Sequence, residues 1–132
     1  MPDIDLLAVL VTGVAAFGLS GAYYAVLGDQ LASVSEAAAA AAAESPPPWQ
    51  LAVELLRGLT VAAVVAGLAS QGDIDEWSGG LVLGLALWVG FPLVLWIGAV
   101  MHENTHLKLA AIHAGDWLVK LLVVGVVVSV WQ

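Results

Sequence analysis

His102, Glu103 and His106 stand in the order H-E-x-x-H within the stretch "MHENTHLKLAAIHAGDWLVK". On a helix, that spacing turns two imidazoles toward one zinc ion and sets the glutamate to activate a water. Further along, His113, Asp116 and Lys120 stand at i, i+3 and i+7, which is one stripe of a helix with the acid four residues ahead of the base, the favourable order for an ion pair. Glu54 and Arg57, at i, i+3, make a second acid and base pair. What either set can do depends on the elements that hold it.

Those elements belong to a membrane protein. The chain has 132 residues, 61% of them hydrophobic and 11% charged, with a mean hydropathy of +0.98, whereas a water-soluble domain carries about 25% charged residues. The fold class that follows is all-α, an integral membrane four-helix bundle forming one domain over residues 1–132. The absence of cysteine excludes disulfides, thiol catalysis and thiolate metal sites. A net charge of -8 with three Lys+Arg excludes nucleic acid as a partner, because nothing neutralises a run of phosphates.

Four apolar stretches reach the ~20 residues that a helix needs to cross a bilayer: residues 4–27, 49–70, 77–101 and 110–131. The first follows "MPDID" rather than a basic segment and outruns the ~7 to 15 apolar residues of a signal peptide, so it is expected to stay as a membrane helix. In the connection 28–48, seven consecutive alanines favour a helix but bury little, and Pro46 to Pro48 must end it. An exposed or interfacial helical extension is expected there, then a stiff corner. The short acidic "QGDIDEW" predicts a tight antiparallel hairpin of spans two and three. Trp49, Trp77 and Trp131 fall at span ends, where interfacial aromatics belong.

Arg57, Lys108 and Lys120 all lie toward one side of the bundle, so the positive-inside rule places connections one and three in the cytoplasm and both termini outside the cell membrane. Small residues recur every four positions at Gly58, Ala62 and Ala66, at Gly80 and Gly84, and at Gly21 and Ala25, and predict close helix contacts. Pro92 removes an N–H and crowds the carbonyl of Trp88, which predicts a kink in span three.

"GAYYAVLG" closing span one, "GLALWVGFP" in span three and "LKLAAIHAGDWLVKLL" entering span four, in that order, resemble the small four-span membrane proteins of the domain of unknown function 1761 family. The resemblance covers nearly the whole chain, with the alanine-rich connection as the variable part. It departs at Tyr23, where the family more often has tryptophan, and at Asp5, where asparagine is usual. The resemblance implies a polytopic bacterial or archaeal membrane protein and no particular activity.

Within this frame the H-E-x-x-H match reads as fortuitous. Asn104 and Thr105 are mediocre helix formers in a connection, and His113 lies seven residues past His106, which misses the spacing of an extended zinc motif. A polar interfacial turn is the favoured reading over incidental metal binding by the histidine pair, and a zinc-dependent membrane hydrolase is the remote alternative. No enzyme activity, catalytic residue, metal or cofactor is expected.

The buried charges carry more. An ionised residue at mid-membrane costs ~3 kcal/mol and each Leu or Val returns ~0.5, so the stripe of span four must face protein or water. Spans two and four enter from the same side, which sets Glu54, Arg57, Asp116 and Lys120 at similar depth at ~1.5 Å per residue. The expected arrangement is one mutually neutralising network with His113 beside it. Tyr23 and Tyr24 either line a pocket at that level or, the preferred reading, mark the interface, and Trp88 is a further candidate for pocket lining. Two functions remain open: a small-molecule or proton-linked membrane protein, expected to be a homo-oligomer in the lipid bilayer, and a structural or accessory protein whose ion pairs only specify helix contacts.

Overall fold

A computed structural model of the protein describes residues 3–42 and 45–131. The ends of the alanine run and of the "MPDID" segment, Ala43 with Glu44 and Met1 with Pro2, lie outside the described residues. The elements are α1 (Leu6–Ala32), α2 (Glu36–Ala42), α3 (Pro48–Gln71), α4 (Trp77–Trp88), a π-helical turn (Val89–Leu93), α5 (Val94–His102) and α6 (Leu107–Trp131). Among the described residues there is no strand, and four helical segments, with α4 to α5 taken as one, are long and apolar enough to cross a membrane.

Local chemistry sets the helix ends. Asp5 caps α1 by accepting from the N–H groups of Leu7 and Ala8 at 2.9 and 3.1 Å, the two-donor arrangement that makes aspartate a good N-cap. α1 runs five residues past the expected Leu27, because nothing before Ser33 breaks it. Pro48 does more than stop the alanine segment: it is the first residue of α3, where a fixed φ and a missing N–H cost nothing. Asp73, at φ 52°, turns the chain between α3 and α4, a left-handed conformation that a short polar side chain tolerates.

α6 is the centre of the bundle. It lies against α1, α3 and α4, and its Val124 and Val128 are fully buried. Small residues bring the backbones together, since in lipid close approach replaces hydrophobic exclusion as the source of helix association. A Cβ on Gly80 would strike the carbonyl oxygen of Gly125, one on Gly84 that of Leu121, and one on Gly58 would sit 3.0 Å from that of Gly13. The expected stripe on α1 is shifted: Gly21 and Ala25 are exposed, and the contact is made by Ala8, Thr12, Gly13 and Ala16.

The hairpin of spans two and three is also corrected. Its connection is short, but α3 and α4 scarcely touch, because the glycines of α4 draw it onto α6. Beyond the π turn, α5 lies only loosely on α6. The disruption expected at Pro92 takes the form of this wide turn, which absorbs the missing N–H. Between α3 and α5 an apolar cleft of about 1050 Å³ therefore stays open to the side.

Candidate functional site

The stripe of α6 is where the sequence places it, with Asp116 and Lys120 buried and His113 half-buried. Asp116 is 4% and Lys120 8% exposed, and their charges face each other at 3.3 Å across one helical turn. Ser20 on α1 donates to the second carboxylate oxygen of Asp116 at 2.7 Å, and Lys120 lies 4.3 Å over the ring of Trp117. An ion pair held in low dielectric persists only when its remaining valences are filled in this way.

A cavity of about 480 Å³ reaches this pair. Gln50, Glu54 and Arg57 of α3, Ser20 and Tyr24 of α1 and His113 of α6 share its wall with them. Two acids and two bases thus face one space about 9 to 20 Å along α3 and α6 from the ends that begin at the first and third connections, at ~1.5 Å per residue. They do not form one bonded network. Arg57 pairs with Glu54 on its own helix at 2.5 Å, with half of each side chain exposed, and among the described residues no ion pair joins α3 to α6. Each pair is satisfied one turn away on its own helix, which is a shorter reach than the space between helices.

The tyrosines tie α1 to α6. Tyr23 donates to the carbonyl of Ile112 at 2.6 Å, and Tyr24 shares a 2.6 Å hydrogen bond with Nδ1 of His113. Tyr24 lines the cavity and Tyr23 does not. Trp88 stands away from it too, donating to the carbonyl of Ala114 at 2.8 Å. The aromatic that sequence reasoning missed is Trp96 of α5, which stacks on His113 at 5.0 Å between centroids and forms part of the wall. Ser20 was also missed. A helical offset of four from Ala16 and Thr12, on the face that α1 turns inward, is the signal that points to it.

The H-E-x-x-H residues are not on one helix. α5 ends at His102, Asn104 turns the chain at φ 54°, and Nδ1 of His106 accepts from the backbone N–H of Lys108 at 3.1 Å. That places the two imidazoles on either side of a turn, without the shared helical face that the motif requires. Among the described residues no group of three or more His, Cys, Asp or Glu side chains is placed to hold a metal ion.

Neither the curated proteins nor the solved structures hold a match to the chain. The family described as "Protein of unknown function (DUF1761)" matches residues 7–129, a span that takes in α1 with its tyrosines, the π turn and the charged stripe of α6. A multi-pass membrane protein built from four apolar helices, the chain belongs to the DUF1761 family.

Proposed function

We propose that this protein binds a small polar molecule within the membrane, in the cavity that Asp116 and Lys120 face. The observation that carries the reading is that a space of about 480 Å³, with polar groups from three helices around it, reaches a buried ion pair. Charges kept for helix register alone are better served by a dry contact, because solvent access weakens the attraction between them. A carboxylate and an ammonium in contact are also the groups through which binding couples to proton uptake. The protein sits in the cell membrane with both termini outside. Asp3, Asp5, Asp73, Asp75 and Glu76 lie toward the terminal side with no Lys or Arg, the pattern that the positive-inside rule assigns to the outer face.

The second reading is a structural or accessory protein. The hydrogen bonds from Ser20, Tyr23 and Trp88 onto α6 favour it, since all three brace the helix that carries the charges. The chain has no cysteine, so single cysteines separate the two readings. Ser20→Cys is expected to react with a small water-soluble thiol reagent in intact membranes, and Val124→Cys, in the fully buried centre, to stay unmodified. Equal inertness of both would mean a dry clasp and would remove the binding reading.

A further inference from the structure

The polar cavity and the lateral apolar cleft are neighbours. Arg57, Trp96 and Trp117 belong to the walls of both. The cleft runs from His102 and Glu103, at the third connection, past Leu87 and Leu121 to Leu68, near the far end of α3. Val64, Phe91 and Leu95 on its rims are exposed, so it opens sideways, toward the hydrocarbon of the bilayer. A polar recess that opens beside an apolar slot facing the hydrocarbon has the polarity profile of a single lipid, its head in the recess and its chain along the slot.

The charges specify the head. Glu54, Arg57, Asp116 and Lys120 sum to zero around the cavity. A ligand with one sign of charge would engage one member of the buried Asp116–Lys120 pair and strand the other in low dielectric. A ligand carrying both signs exchanges partners without stranding any, its anionic group meeting Arg57 or Lys120 and its cationic group Glu54 or Asp116. We infer that the occupant is a zwitterionic lipid drawn from the bilayer, with its head in the polar cavity beside Asp116 and Lys120 and its chain in the cleft between α3 and α5. This inference rests on the binding reading above and names the ligand class for that site.

Native mass spectrometry of the detergent-solubilised protein tests it with three probes: phosphatidylethanolamine, phosphatidylglycerol with the same acyl chains, and glycerophosphoethanolamine, which has the head without the chains. The expected result is retention of phosphatidylethanolamine about tenfold tighter than either of the others. Two variants locate it. Gly98→Phe fills the cleft from a position where a Cβ meets nothing within 4 Å, and Asp116→Asn with Lys120→Met removes the buried pair together, leaving no lone charge. Both are expected to abolish the preference while the protein stays folded by circular dichroism. If glycerophosphoethanolamine binds as tightly as the lipid, and the double variant weakens it but Gly98→Phe does not, the polar site stands and the lipid inference falls. If the two lipids bind alike and the double variant changes neither, the cleft takes up hydrocarbon without reading a head, and both inferences fall. A dimer that Gly98→Phe dissociates would assign the cleft to a helix of a second copy and overturn the lipid inference.

Discussion

Ser20, in the third quarter of the first span, donates a 2.7 Å hydrogen bond to Asp116, 96 residues along the chain. With Lys120 at 3.3 Å on the other oxygen, the carboxylate is held from two helices. Ser20→Ala is expected to lower stability by about 1 to 2 kcal/mol, between the usual contribution of an interhelical hydrogen bond in a membrane and that of a bond to a charged group. Thermal unfolding in detergent measures it, and Ser20→Thr should restore most of the loss.

Lys120→Met alone leaves a buried carboxylate without its counter-charge, which costs about 3 to 5 kcal/mol. Adding Asp116→Asn removes that charge, so the double variant should unfold at a higher temperature than Lys120→Met alone. Glu54→Gln provides the contrast. Its pair is half exposed and confined to α3, so the loss should be about 0 to 1 kcal/mol. A loss from Glu54→Gln as large as that from Lys120→Met would mean that the two pairs are energetically joined.

Glycine contacts divide into two groups. Gly80→Ala sets a methyl group against the carbonyl of Gly125, whereas Gly90→Ala points one into open space. The first should destabilise by about 1 to 3 kcal/mol as α4 and α6 are forced apart, and the second should be neutral or mildly stabilising through helix propensity. Comparing the melting temperatures of the two variants decides it.

The hydroxyls of Thr12 and Ser129 are fully buried and have no hydrogen-bond partner among the described residues. An unsatisfied buried hydroxyl costs about 1 to 3 kcal/mol, so Thr12→Val, which keeps the shape, should raise the melting temperature. A lower value for Thr12→Val would show that the threonine hydroxyl is satisfied in the membrane.

Topology follows from Trp131, whose indole N–H donates to Asp5 at 3.1 Å and so joins the end of α6 to the start of α1. Cysteines introduced at Asp3 and Asp75 should label from one side of sealed vesicles, and those at Ser33 and Glu103 from the other. Labelling of Asp3→Cys and Glu103→Cys from the same side would refute the four-span arrangement.

Periodicity and length sufficed for the spans because the bilayer demands about 20 apolar residues of each, whatever they touch. The stripe of His113, Asp116 and Lys120 was legible for a similar reason, since i, i+3 and i+7 define a helix face before any partner is known. Which residues oppose that face was not legible. Ser20 and Trp96 come from spans that could have packed at several rotations, and Gly21 fits a small-residue rule as well as Gly13 does. The separation of α3 from α4 was hidden for the same cause: a short loop fixes how far apart helix ends lie, while the close fit of Gly80 and Gly84 onto α6 decides which way the helices lean. Tyr23 and Tyr24 looked interfacial by type, and only the neighbouring helix gives their hydroxyls a partner.

The wide turn at Val89–Leu93 acts as a phase setting for everything after it. A π turn accommodates one residue more than the α-helical turn it replaces, and one residue is about 100° of rotation at 3.6 residues per turn. Trp96 stacks on His113 because the helix has been advanced by that angle before reaching it. Deleting one residue from the turn would return the segment to α-helical spacing, press Pro92 against the carbonyl of Trp88 and swing the indole away from the imidazole. A length change of one is therefore harsher here than most substitutions, and the least regular turn of the third span fixes which of its faces meets the cavity.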